Sequence, residues 1–397
     1  MKTLKSMRLH IGIFGKTNVG KSSLLNRITN QDISIVSDIA GTTTDVVEKS
    51  MELLPIGPVN FLDTAGIDDK TALSSERIEK TMKILNRTDV AVVVCDYNGI
   101  DEYEIKLIKK FDELKIPYII VVNKIDEKPL SDAILADLQQ YTKNILITSA
   151  TSDNDLVYKF KETLVKLLPD DFVNMPKIVG DLVPKKSTVI LVIPIDKEAP
   201  KGRIILPQVQ VLRDLLDSSC LSLVVKETEL QNALDNLKTP PSLVVTDSQA
   251  FKQVADIVPD SIPLTSFSIL FARLKGDLKE FVKGASAISK LKDGDKVLIL
   301  ESCTHHAIED DIGRVKIPRL LKMCTGKELV IDNIAGHDFP DISKYNLIIH
   351  CGACMTNRRE VLSRILLANQ KNVPITNYGI AISYCLRILP RAIKMFE

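Results

Sequence analysis

The 397-residue chain has no tryptophan, and only 5% of its residues are aromatic. That argues against an aromatic stacking platform for single-stranded nucleic acid. Charge of one sign is also missing: 52 basic residues face 51 acidic ones, for a formal net charge of +1. No overall field draws the chain to nucleic acid or to an anionic membrane, so neither is expected as a partner. No apolar run reaches the ~18 residues of a membrane span. The opening MKTLKSMRLHIGIFG lacks a long apolar core with a cleavage site and reads as a short leader into a strand. Seven cysteines are too few for a disulfide framework and odd in number. They suit a reducing, cytoplasmic setting in which some bind metal and others fill core.

What is present is an ordinary soluble composition, 45% hydrophobic and 26% charged. The length exceeds what one hydrophobic core serves, so two or three domains are expected. Arg8 to Phe14 reads as a strand, followed by GKTNVGKS and then a helical SLLNRITN. This is a phosphate-binding loop in its strand–loop–helix setting. Gly15, Lys16, Thr17, Asn18, Val19 and Gly20 would wrap the phosphates with backbone amides. Lys21 would reach the β- and γ-phosphates. Ser22 would ligate Mg²⁺, with Ser23 beside it at the helix start.

Three later motifs each follow an apolar strand. DTAG, Asp63 to Gly66, would place Asp63 on the Mg²⁺ water shell. NKID follows YIIVV, and Asp126 there can accept from guanine N1–H and its amino group, which adenine cannot offer. Asn123 belongs to the same motif, and Lys124 would lie along the base. LITSA puts Ser149 and Ala150 where a backbone amide can meet guanine O6.

With these motifs, residues 1–170 resemble a small GTPase domain of the Era and TrmE type. The resemblance implies catalytic roles for Lys21, Thr43, Asp63 and Gly66, with Thr43 as a second Mg²⁺ ligand. Ile67 follows DTAG where Ras-like enzymes have a water-orienting glutamine. Asn18 matches the asparagine with which TrmE-like members hold K⁺, which implies slow, K⁺-stimulated hydrolysis. TrmE-like proteins carry arginine after two threonines, where this chain has Thr44.

A Pro-, Gly- and charge-rich stretch at 170–186 reads as a boundary. Strands then alternate with helices of about ten residues, which implies a second, small α/β layer over 180–265. It carries no catalytic constellation, so dimerisation is its expected role. A third α/β segment, 266–397, holds the soft ligands; near its end VPITNYG reads as a final strand and turn and IAISYCLRILPRAIKMF as a last helix. The fold class is therefore α/β throughout, in three domains with mostly parallel sheets. Cys303, His305 and His306 follow the strand DKVLILES, while His350, Cys351 and Cys354 follow LIIH. Four of the five histidines lie between 305 and 350. The residue types alone leave three chemistries open: a redox dithiol, a structural zinc site, or an iron–sulfur cluster. Cys95, Cys220, Cys324 and Cys385 lie in apolar contexts and read as core. His337, in AGHDFP, reads as a loop residue and His10 as structural.

The pattern C-x-H, 44 intervening residues, then H-C-x-x-C, joined to an N-terminal GTPase, resembles the HydF family of [FeFe]-hydrogenase maturation. PIDKEAPKGRIILPQ, ESCTHH, HCGACM and PITNYG extend the resemblance along the chain. It implies a [4Fe–4S] cluster on Cys303, Cys351 and Cys354, with His305, His350 and Glu309 as candidates for an exchangeable fourth ligand. It also implies a homodimer that takes a di-iron subcluster precursor from two radical maturation enzymes and passes it to the hydrogenase. The alternative function is a regulatory GTPase with a structural zinc domain and protein partners.

Overall fold

The computed structural model describes residues 8–29, 47–63, 81–168, 177–195, 202, 204–302, 311–337 and 339–397. The chain divides into two compact units, residues 1–175 and 176–397. No helix among the described residues is long and apolar enough to cross a membrane.

The first unit is built on six strands, β1 (Leu9–Phe14), β2 (Val47–Leu53), β3 (Gly57–Asp63), β4 (Val90–Cys95), β5 (Tyr118–Val122) and β6 (Ile145–Ile147). Their order is β2-β3-β1-β4-β5-β6, and only β2 runs antiparallel to its neighbour. β1, β4 and β5 are buried along their whole length. Parallel strands covered on both faces must be apolar at every position, which is why VAVVVC and YIIVV show no alternation. Helix α1 (Lys21–Thr29) follows β1, α2 (Glu102–Leu114) lies between β4 and β5, α3 (Asp132–Leu138) between β5 and β6, and α4 (Leu156–Leu167) follows β6. α2 starts at a reciprocal cap between Asp101 and Glu104 and ends on left-handed Lys115.

The second unit carries two four-stranded parallel sheets. The first comprises β7 (Thr188–Val192), β8 (Leu221–Val225), β9 (Leu243–Thr246) and β10 (Leu264–Ser266), in the order β10-β9-β7-β8. The second comprises β11 (Lys296–Glu301), β12 (Val330–Ala335), β13 (Leu347–His350) and β14 (Ile375–Asn377), in the order β12-β11-β13-β14. Read from the fourth strand, both orders are fourth-third-first-second. The registers coincide as well. Val189 pairs Leu243 as Val297 pairs Leu347. Thr188 pairs Leu221 as Lys296 pairs Val330. Val244 pairs Leu264 as Ile348 pairs Ile375. The unit is therefore two copies of one module.

The helices repeat the correspondence. α5 (Leu206–Asp217), α6 (Leu230–Asp235), α7 (Phe251–Ile257), α8 (Phe267–Lys275) and α9 (Leu278–Ala285) precede β11. α10 (Ile317–Thr325), α11 (Arg358–Gln370), α12 (Tyr378–Cys385) and α13 (Leu389–Ile393) follow it. α5 and α10 both carry proline in their first turn. α8 and α12 both leave the fourth strand directly, capped by Ser266 and Asn377, and they pack on each other. One apolar core runs through both modules, from Ile190 and Val244 to Leu298 and Ile349.

Two expectations are corrected. The C-terminal segment from Ile380 reads in the sequence as one helix, but it breaks into α12 and α13 at left-handed Arg387 and Pro390. Cys324 is exposed on α10, whereas Cys95 and Cys220 are buried as expected.

Candidate functional site

In the first unit the loop after β1 lies beside β4, at the point where strand connections diverge to either side of β1. Gly15 and Gly20 have φ of +138° and +93°. A Cβ on Gly15 would strike the Val94 carbonyl, and one on Gly20 would strike the Asn123 side-chain amide. Asn18 is left-handed, at φ +66°. Lys21 is buried and its ammonium donates to the carbonyls of Gly15 (2.6 Å) and Lys16 (2.7 Å). The same ammonium is thus already poised over the loop that would hold phosphate.

The base-recognition residues converge on that loop. Asn123 Nδ2 donates to the Val19 carbonyl at 2.9 Å, and its Oδ1 accepts the Ala150 amide at 2.9 Å. The Ala150 amide that the sequence offers to guanine O6 is therefore engaged with Asn123 here. Asp126 accepts from Thr151 Oγ1 at 3.2 Å. Hydrogen bonding by Ser149 holds its carboxyl below the ordinary range. It is an acceptor-only group, as guanine recognition requires. Asp63 is buried at the end of β3, and Ser22 and Ser23 lie in the first turn of α1. Thr43, Gly66 and Ile67 lie outside the described residues.

A cluster not foreseen from the motifs ties this loop to α2. Glu104 accepts the Lys16 amide (3.1 Å) and the Asp101 amide (3.1 Å). Lys16 Nζ pairs with the Asp101 carboxylate. Burial, then the neighbouring Asp101 carboxyl, pushes the Glu104 carboxyl up to about 7.

In the second unit the chain leaves β11 and β13 at adjacent positions of the sheet, and their carboxyl ends flank its own divergence point. Cys351 follows β13, with its amide on the Leu300 carbonyl of β11 at 2.8 Å. Its sulfur accepts the Ser302 amide at 3.2 Å and lies 3.2 Å from Ser302 Oγ. Ala353 is left-handed, at φ +55°, and turns the chain back so that Cys354 stays in the same loop. Burial, then Cys351, pushes the Cys354 thiol up to about 11. Two thiols and an N–H···S bond at a crevice suit a thiophilic metal or cluster. Cys303, His305, His306 and Glu309 lie outside the described residues. Among the described residues no three metal-ligating groups gather.

His350 is placed differently from its expected role. Its side chain is wholly buried, with Nδ1 2.8 Å from the Cys351 carbonyl and Nε2 2.8 Å from Arg364 Nη1. A guanidinium only donates, so Nε2 accepts and Nδ1 carries the proton. Burial, then the Arg364 charge, pulls the ring down to about 4, so it is neutral. Neither nitrogen has a lone pair to spare for a metal. Arg364 in turn donates to Glu360 Oε1 (2.8 Å) and the Gly336 carbonyl (2.9 Å). His337, in its loop, bonds Glu360 at 3.0 Å. The motifs gave no hint of Arg364 or Glu360. Two charged residues four apart on a helix read as a surface pair, and only burial reveals otherwise.

Comparisons with known proteins give three matches in chain order. Residues 10–124 match the family described as "50S ribosome-binding GTPase". Residues 178–276 match "Hydrogen maturase F dimerization domain" and residues 279–395 "Hydrogen maturase F tetramerization domain". The last two together take in more than half of the chain. The tRNA modification GTPase MnmE of Mesoplasma florum is 38% identical over 154 residues, 38% of this chain and 33% of that protein. GTPase Der of Nitratiruptor sp. is 39% identical over 129 residues, 32% of this chain and 28% of that protein. The chain thus spans about a third of the length of the curated relatives it matches. A crystal structure of an Era variant from Aquifex aeolicus bound to GDP·AlF₄⁻ aligns with 20% identity and a TM-score of 0.34, covering 55% of this chain and 93% of that one. The first unit is a GTPase domain.

Proposed function

The chain belongs to the HydF family of hydrogenase-maturation GTPases, and on that premise we propose that it is a scaffold that carries iron cargo to the hydrogenase. The observation that carries this reading is the meeting of Ser302 and Cys351 at the crevice between β11 and β13. Cys303 is the residue after Ser302 in the chain, which supports Cys303, Cys351 and Cys354 as a common thiolate set. A [4Fe–4S] cluster held there would supply one iron with an exchangeable position for a di-iron precursor. The Ser302 amide orients the Cys351 sulfur, and His350 fixes the loop from behind through the Cys351 carbonyl. With both His350 nitrogens committed, His305 and Glu309 remain as candidates for the exchangeable ligand.

The GTPase domain binds GTP with Mg²⁺. Lys21 would meet the β- and γ-phosphates, and Ser22, Thr43 and Asp63 would order the Mg²⁺ and its waters. The Gly66 amide would meet the γ-phosphate. Asn18 would hold K⁺ and so make hydrolysis K⁺-stimulated. Nucleotide state would bias association with the hydrogenase and with the two radical enzymes that make the precursor. The exposed apolar residues Leu216, Leu221 and Val224, on and beside edge strand β8, support self-association.

The test is purification without oxygen, with iron, acid-labile sulfide and zinc measured on one sample. Iron and sulfide in near-equal amounts, lost in Cys303→Ala, Cys351→Ala and Cys354→Ala, is the expected result. Zinc without sulfide after anaerobic reconstitution would instead make the chain a regulatory GTPase with a structural metal site.

A further inference from the structure

Helix α8 closes the first module of the second unit and is apolar along most of its length. It ends on a lysine that is 2% exposed, Lys275. This side chain does not turn to solvent, as a lysine at a helix end ordinarily does. Its Nζ donates to the Thr356 carbonyl at 3.0 Å, two residues beyond Cys354 and in the other module. Thr356 Oγ1 lies 3.4 Å from Ser302 Oγ, which lies 3.2 Å from Cys351 Sγ. Thr356 therefore meets the ammonium through its carbonyl and, through its hydroxyl, the serine beside the sulfur. Burying an ammonium costs several kcal/mol unless something nearby offsets the charge. The Thr356 carbonyl offsets part of it, and metal-bound thiolates in the same loop would add to that.

We propose that Lys275 is the positioning cation of the thiolate loop: it fixes the turn from Cys354 to Thr356 and offsets the negative charge that the metal-bound thiolates bring. The inference rests on the reading of Cys303, Cys351 and Cys354 as metal ligands. The consequence for a bound cluster follows from charge alone. Reduction adds an electron to a site that is already anionic, and a nearby buried cation favours it. Removing the cation therefore moves the midpoint potential to more negative values. It also loosens the loop, because the Thr356 carbonyl loses its donor. Outer partners of metal ligands are worth about 10- to 100-fold in metal affinity. The pseudo-symmetric packing explains why the cation comes from the other module: α8 packs against α12, which follows the strand beside the Cys351 loop.

The experiment compares the full chain with Lys275→Met, Lys275→Gln and Lys275→Arg, each reconstituted anaerobically. Iron, sulfide and zinc are measured, then the rate of metal loss to excess chelator, then the midpoint potential by spectroscopic redox titration. Lys275→Met is expected to lose metal about 10-fold faster and, where a cluster is bound, to titrate at a more negative potential. Lys275→Gln removes the charge and directs a shorter, neutral donor toward the Thr356 carbonyl, so it should reproduce the potential shift; it replaces Lys275→Met if that variant does not fold. Lys275→Arg should stay near wild type, and GTP turnover should be unchanged in all. Wild-type potential and wild-type metal retention in Lys275→Gln would overturn the inference. Zinc without sulfide in the wild type would overturn the cluster reading, and the chelator rates would still decide Lys275. A wild type that takes up neither metal would overturn both.

Discussion

Arg364 donates to His350 Nε2 at 2.8 Å in a place where both side chains are buried. That contact fixes the histidine as a neutral acceptor and sets it behind the Cys351 loop. The same guanidinium pairs with the Glu360 carboxylate, itself buried. The sequence H-C-x-x-C alone suggests three adjacent ligands. The geometry separates them into two thiols that face the crevice loop and one histidine that supports it.

Arg364→Met is therefore expected to destabilise the second unit by about 3–5 kcal/mol, because it breaks a buried ion pair with Glu360 and removes the donor to His350. His350→Ala should cost less, about 1–3 kcal/mol, since it leaves a buried guanidinium N–H without its acceptor. Urea unfolding of the two variants checks the order. A surface-like loss under 1 kcal/mol for Arg364→Met would mean that the network is not buried in solution. For His350→Ala the metal-bound spectrum should keep its wild-type form, while a changed spectrum would make the histidine a ligand after all.

Asp126→Asn tests the base pocket. A carboxylate accepts from guanine N1–H and its amino group, while an amide can donate to a carbonyl at the same ring position. The variant should lose about 100-fold in GTP affinity and gain affinity for xanthosine triphosphate. Binding measured with both nucleotides gives the answer in one assay. A parallel loss of both would show a damaged fold and not an altered specificity.

Gly20→Ala should uncouple two motifs at once. The added Cβ would run into the Asn123 amide, and φ of +93° is a region that alanine avoids. Asn123 would leave the Val19 carbonyl, so the phosphate loop and the base motif would both shift. A loss of about 2 kcal/mol in stability is expected, with GTP binding reduced by 10-fold or more. Unchanged binding would mean that Asn123 is not needed to brace the loop.

Much of this was legible, for a physical reason. A buried parallel strand must be apolar throughout, and a phosphate loop needs its glycines, so VAVVV, YIIVV and GKTNVGKS announce themselves. The three-residue strand β10 does not, because LTS is too short for any period, whereas the equally short β14 is legible from the turn residues that follow it in VPITNYG. Nor does the duplication, since GRIILPQ and GRVKIPR share little beyond Gly, Arg and Pro, and only the strand register makes the equivalence plain. Lys275 and Arg364 were illegible for one common reason. A charged residue on a helix reads as solvent-facing, and burial of either depends on partners 81 and 14 residues away. Cys324 misled in the opposite direction: Ile317 and Leu321 of α10 face the core, while Met323 and Cys324 lie on its exposed side.

Glu104 carries a pH dependence with a definite sign. Its carboxyl rises from an ordinary 4.5 to about 7 on folding, chiefly through burial. The folded state then binds a proton that the unfolded chain has released. The stabilisation is full below about pH 4.5 and is lost as pH rises through 7, and over that window it amounts to about 2–3 kcal/mol. Asp101, which faces it, moves the other way and matters only in acid: its lowered carboxyl stabilises above its ordinary 3.8, and that contribution is lost as pH falls further. Lys16 stays charged across the whole window, its ammonium raised by the Asp101 hydrogen bond. Asp96 belongs to the same cluster, beside Lys16. Hydrogen exchange of the β1 and β4 amides at pH 5 and pH 8 reads the effect locally, once rates are corrected for intrinsic exchange. Wild type should lose protection at pH 8 relative to Glu104→Gln, whose side chain does not titrate. A constant difference between the two would mean that Glu104 is ionised at both pH values, and that its bonds to Lys16 and Asp101 hold the phosphate loop without a proton.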